Sequence, residues 1–141
     1  MASYVKHDIF VEDLANKVHD LGADTLTLAL VANGDPPVAG DVILTNLTGE
    51  IAYTNLASSR VPAITSAVET SGVLKLILAD VVLTATGAVA EFQWVDLWND
   101  TPAGPVDPLI SFWDHGTGVT LANTETFTID FSASNGVLTI T

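Results

Sequence analysis

The sequence predicts a mainly β protein: an antiparallel β-sandwich of about seven to nine short strands with one amphipathic α-helix at the N-terminal end. Three observations carry this. Runs of apolar and threonine residues recur along most of the chain, several with period two. Gly, Asn, Ser and Pro clusters interrupt them at intervals of about eight to twelve residues, as in sandwich folds. Only one stretch, near the start, repeats its apolar residues at helical spacing.

That stretch is residues 4–21. Val5, Ile9, Phe10, Leu14, Val18 and Leu21 form one face, and Lys6, Asp8, Glu12, Asp13, Lys17 and Asp20 the other. Gly22 stands where a left-handed residue would end such a helix. Thr25 to Leu30 then alternates strictly, with Leu26, Leu28 and Leu30 on one face of a strand. Asn33-Gly34-Asp35-Pro36-Pro37 stops it. Residues 38–60 have no decisive period, and Val42, Ile43, Leu44 and Leu47 fit a short helix or a strand.

From Val61 onward the β signal is continuous. Ile64–Glu69 and Val73–Leu78 flank Thr70-Ser71-Gly72, read as a three-residue hairpin loop. Val81–Ala85 and Glu91–Trp98 flank Thr86-Gly87-Ala88. Leu109–Asp114 follows a Pro/Gly-rich loop at residues 100–108, and Thr126–Phe131 and Val137–Ile140 flank Ser134-Asn135-Gly136. With no internal repeat or linker, residues 1–141 read as a single domain.

Composition narrows the function. Seventeen acidic residues stand against four basic ones, for a net charge of −13, yet 48% of the chain is hydrophobic. Mean hydropathy is +0.43. Few charges remain to coat a surface, so some of the 17 threonines and small apolar side chains must face outward. Such a surface fits burial against another protein, with the net charge keeping the free molecule in solution. The excess of carboxylates argues against a nucleic-acid partner, since phosphate contacts need Lys and Arg. No apolar window reaches membrane-spanning length, the start lacks the apolar core of a signal peptide, and with no cysteine the chain has no disulfide.

Chemistry is not signalled. His7 and His19 lie about 18 Å apart if both sit on the helix, too far to share a metal. Asp114 and His115 are neighbours in a strand and point to opposite faces. No nucleophile elbow, phosphate loop, calcium loop or zinc-binding helix motif is present. The residues therefore predict no catalytic residue, no metal ligand and no cofactor. In Glu91–Trp98, the residues Phe92, Trp94, Asp96 and Trp98 share one strand face, and Gln93, Val95 and Leu97 the other. Large aromatics in a sandwich serve core or subunit contact ahead of sugar stacking. The candidate protein-interface residues are Ile9, Phe10, Leu14, Trp98 and Trp113. A carbohydrate-binding module using Trp94, Trp98 and Trp113 is the alternative from another class.

The order of segments resembles a family of small virion proteins of tailed bacteriophages over nearly the whole length. The resemblance rests on the run Val18-His19-Asp20-Leu21-Gly22-Ala23-Asp24-Thr25-Leu26-Thr27-Leu28-Ala29-Leu30, on Ser71 to Leu76, on Val81 to Gly87 and on Leu97-Trp98-Asn99-Asp100-Thr101. Leu109 to Gly116 and the ending Thr126 to Phe131 with Gly136 to Ile140 complete it, while residues 33–60 depart from the pattern. It implies a structural component without enzymatic activity, in first place a capsid decoration (cement) protein on the virion surface, made in the host bacterial cytoplasm. Its partners would be the major capsid protein and neighbouring copies of itself, as a trimer or dimer, with neither nucleic acid nor membrane. A tail, connector or head-to-tail ring component is the alternative within the virion, with residues 38–60 as its extended loop.

Overall fold

The computed structural model describes residues 2–141. It is built from antiparallel sheets in a sandwich-like arrangement with one short helix, as the sequence predicts. In chain order the elements are β1 (Ser3–Lys6), α1 (Ile9–Ala15), β2 (Leu26–Val31), β3 (Ile64–Thr70), β4 (Val73–Leu78), β5 (Val81–Thr84), β6 (Val89–Asn99), β7 (Leu109–Leu121), β8 (Thr126–Ile129) and β9 (Leu138–Ile140).

One layer is a four-stranded sheet in the order β1-β7-β6-β2. The other is made of two small sheets, β3-β4-β9 and β5-β8. Only Ala79 and Asp80 separate β4 from β5, so the small sheets follow one another along the same run of chain. Between the layers Leu26, Leu28, Leu30, Leu97 and Ile110 meet Leu76, Leu78, Val81, Leu83 and Leu138 in one buried cluster. Burial of this much aliphatic surface is the main stabilising contribution.

β2 is buried along its whole length, on both faces. Its second face, Ala29 and Val31, packs with Leu47, Trp98 and Leu109 in a smaller cluster. Residues 38–60 have little regular structure because they serve this sheet: a single 3-10 turn, Leu44–Asn46, in an otherwise irregular cover. They also close the outer edge of β2. The Leu28 N–H donates to the Arg60 carbonyl at 2.9 Å, Ala32 to Gly49 at 2.8 Å, and Ile51 donates back to Leu30 at 3.0 Å. The Leu30 N–H donates to the Tyr53 hydroxyl at 3.0 Å. Arg60 donates to the Leu28 carbonyl and stacks its guanidinium 3.4 Å from the centre of the Tyr53 ring.

The N-terminal helix is shorter than its periodicity predicts. Residues 3–6 are a strand, with Tyr4 opposite Trp113 and Lys6 opposite Ser111, and α1 covers seven residues. The helical spacing of Val5 is therefore coincidental, because the β7 ladder claims that backbone first. The helix ends at a left-handed residue, but at Lys17 (φ 64°) and not at Gly22. Val18 donates to the Asp13 carbonyl at 2.8 Å and Lys17 to Leu14 at 3.2 Å, the paired bonds of a Schellman motif. A lysine in that conformation carries a steric penalty that glycine avoids. Lys17→Gly is accordingly expected to raise the unfolding free energy by about 1 kcal/mol, measured by urea titration.

Two further details differ from the sequence reading. The β3–β4 hairpin pairs Thr70 with Val73 and so has a two-residue turn, Ser71 and Gly72, both with positive φ. In β6 a register shift between Phe92 and Trp94 breaks the alternation. Phe92 is turned into the main core, while Trp94 lies against the smaller cluster.

Candidate protein-binding surface

The five residues that the sequence nominates for an interface do not share one surface. Phe10 is 3% exposed and joins the main core, with its ring centre 5.2 Å from that of His19. Leu14 is half-buried and packs on the same cluster, and Ile9 is half-buried at the start of α1. Trp98 is 7% exposed and belongs to the smaller cluster. Trp113 is half-buried, tilted against Tyr4 at 5.5 Å and Phe131 at 5.7 Å. Phe10 and Trp98 are thus core residues rather than docking residues: each is the large side chain that fills the space under a short covering segment. The sugar-binding trio is divided too. Trp94 and Trp98 lie on the smaller cluster's face of the sheet and Trp113 on the other, so the three make no common stacking platform.

What faces solvent instead is valine. Val5, Val11, Val38, Val42 and Val106 are between 36% and 58% exposed. Their segments are bonded to one another. The Asp8 N–H donates to the Ala39 carbonyl at 2.8 Å, Leu109 to Val42 at 3.0 Å and Leu44 to Asp107 at 2.9 Å. The start of α1, residues 38–44 and residues 106–109 therefore form one continuous rim beside β1. Scattered apolar residues are ordinary on a surface, but Val11, Val38, Val42 and Val106 on three mutually bonded segments, with Val5 on the adjoining β1, make a patch.

Beneath this rim lies a buried polar pair. The His7 Nε2 and Asp96 Oδ2 atoms are 2.8 Å apart, and both side chains are 0% exposed. The Phe112 ring is 5.1 Å from that of His7. Burial pushes the Asp96 carboxyl up to about 6, against the opposing pull of the His7 hydrogen bond and charge. Asp41 and Glu50 add a smaller upward push. His7 Nδ1 and Asp96 Oδ1 have no hydrogen-bond partner among the described residues. The pair ties the segment leading into α1 to the middle of β6, 89 positions away in sequence. Ser111, the nearest hydroxyl by register, pairs with Leu97 and so lies on the opposite face of the sheet.

His19 plays a similar part at the next turn of chain. Asn99 Nδ2 lies 3.0 Å from its Nδ1 and donates to Asp24 Oδ2 at 2.6 Å. Burial lowers the His19 pKa, and the Asp24 charge partly opposes this. His115 stays at the surface with Nδ1 3.0 Å from the Thr117 carbonyl. The sequence reading treats all three histidines as ordinary polar residues and misses the first two as internal anchors. No local pattern signals a partner that far along the chain. Among the described residues no three His, Asp or Glu side chains are grouped to hold a metal ion, and no helix is long and apolar enough to cross a membrane.

No protein-family model matches this chain, and neither a curated protein nor a solved structure is found to be similar to it.

Proposed function

We propose that this chain is a structural protein of a bacteriophage virion: a non-enzymatic decoration protein that binds the outside of the capsid shell and holds neighbouring capsid subunits together. The observation that carries the reading is the exposed valine rim formed by Val5, Val11, Val38, Val42 and Val106 on a chain with a net charge of −13. An apolar patch framed by acidic surface favours association with a partner that is apolar and basic, and the charge steers the encounter while suppressing self-association. The sequence resemblance to small virion proteins supplies the identity of that partner as a capsid shell. A shell strained by packed DNA needs added contacts across subunit boundaries, and a patch burying about 800 Å² per partner is enough for a specific one.

A ring-forming tail component draws less support. Residues 38–60, its extended loop in that reading, are hydrogen-bonded along the edge of β2.

The test is reconstitution. Purified protein added to expanded heads that lack it is expected to increase their mass in sedimentation and to raise their temperature of disruption. Val42→Asp and Val106→Asp, at exposed sites, are expected to weaken binding on the order of tenfold while leaving the melting temperature of the free protein unchanged. Heads that gain no mass, or variants that bind as tightly as the native chain, would remove the proposal.

A further inference from the structure

A second surface, between β7 and β8, has the geometry of a strand-binding site. A hollow of about 150 Å³ opens beside Trp113, walled by Val95, Phe127, Ile129 and Phe131 with His115 at its margin. An apolar cavity of about that size accepts a benzene ring, and therefore one branched or aromatic side chain. Phe127 through Phe131 all line it without a gap, so it runs along the backbone edge of β8 and not merely beneath one face.

Among the described residues that edge is unpaired: β8 bonds only β5, with Leu83 opposite Phe127 and Val81 opposite Ile129. The Ala85 N–H donates to the Glu125 carbonyl at 2.9 Å, which sets the alternation of the ladder. Phe127 and Ile129 then exchange bonds with β5, and the N–H and C=O groups of Thr126 and Thr128 point outward. Those groups meet no other hydrogen-bond partner among the described residues. Edge strands are protected by short length, by Lys or Pro, or by a bulge, and β8, of four residues, has the first of these alone. The edge strand β1 contains Lys6, but Thr126–Ile129 contains neither Lys nor Pro and pairs without a register shift.

Charge selects the occupant. Asp130 is exposed on the lining, and among the described residues no Lys or Arg lines the hollow. A second copy of a chain with net charge −13 would be repelled, whereas a basic segment would be drawn in. We infer that β8 and the hollow beside Trp113 form a docking site for an extended, lysine- or arginine-bearing arm of a partner protein, which adds as a strand to β8 and seats one apolar side chain in the hollow. This rests on the reading of the chain as a protein-binding component and names the form of partner it would grip.

The experiment uses the full chain and a blocked heptapeptide alternating lysine with valine and leucine, with a glutamate version as control. The lysine peptide is expected to shift the Trp113 indole resonance and to slow amide exchange at Thr128 at least tenfold. The glutamate peptide is expected to bind at least tenfold more weakly. Thr128→Pro removes a donor that β5 does not use, so the fold is kept while lysine-peptide affinity falls at least tenfold. Asp130→Lys, on the exposed rim, provides an independent arm by weakening the lysine peptide and strengthening the glutamate one. Equal binding of both peptides, protection elsewhere than β8, or no effect of either variant overturns the site. A Thr128→Pro chain that coats shells normally while the native chain ignores the peptide discards the docking site and leaves the decoration reading standing. A working peptide site on a chain that ignores shells supports the site and removes the shell as its partner.

Discussion

His7→Ala is expected to destabilise the fold by about 3–5 kcal/mol near neutral pH, the usual consequence of leaving a buried carboxyl without its partner. Asp96 is fully buried, and its Oδ2 atom depends on His7 Nε2 at 2.8 Å while Oδ1 has no partner among the described residues. Without His7 the carboxyl is either charged with no counterpart or protonated with nothing to bond. Asp96→Asn has the opposite character. The amide keeps a donor for His7 and never ionises, so it imitates the protonated acid. The folded-state value of about 6 lies above the ordinary 3.8. The folded protein therefore holds this proton more tightly than the unfolded chain does. The stability that Asp96 contributes is complete below 3.8 and is lost as pH rises through about 6. A gap of about two units corresponds to about 3 kcal/mol. In urea titrations across that window the difference between Asp96→Asn and native protein is expected to be near zero at the acid end. It should grow to about 3 kcal/mol in favour of Asn at neutral pH. Parallel pH profiles for the two proteins would show that the pair does not titrate with folding.

The strands were legible because their residues obey the period of two or the turn chemistry that bounds them. Leu26, Leu28 and Leu30 alternate and do face the main core, and the predicted strand Val73–Leu78 is β4 itself. Gly72 marked the hairpin correctly, although counting from Thr70 made the turn one residue too long. Legibility failed where a distant partner decided the local structure. Val5 and Ile9 have helical spacing, yet β7 draws residues 3–6 into its sheet. The helix stop at Lys17 carried no signal because glycine, not lysine, is the expected left-handed residue. Residues 38–60 have no period because they serve two masters, a sheet face and a strand edge. The interface was the least legible part. Phe10 and Trp98 have the size of docking residues but are the fillers of the two cores, and the exposed valines stand in the predicted helix (Val5, Val11), in the stretch without a decisive period (Val38, Val42) and in a predicted loop (Val106).

Phe10→Ala is expected to cost about 3–5 kcal/mol, the range for truncating a fully packed aromatic side chain. The size of the effect follows from how little else holds the N-terminal region. A helix of seven residues has no stability of its own, so α1 persists only through what it buries. It buries Phe10 in the main core, with half-buried Leu14 against the same cluster. Loss of the ring would leave a void between α1 and the sheet and loosen the segment that carries His7 and β1. The neighbouring residue separates anchoring from docking. Val11 is 55% exposed on the same helix, and Val11→Asp is expected to change stability by less than about 0.5 kcal/mol. If α1 touches the shell, that variant should bind heads more weakly while unfolding at the native urea concentration. Equilibrium urea titration and head sedimentation of both variants thus read two different roles from adjacent positions. A Phe10→Ala protein within about 1 kcal/mol of native stability would mean that the helix is an appendage, not a wall of the core.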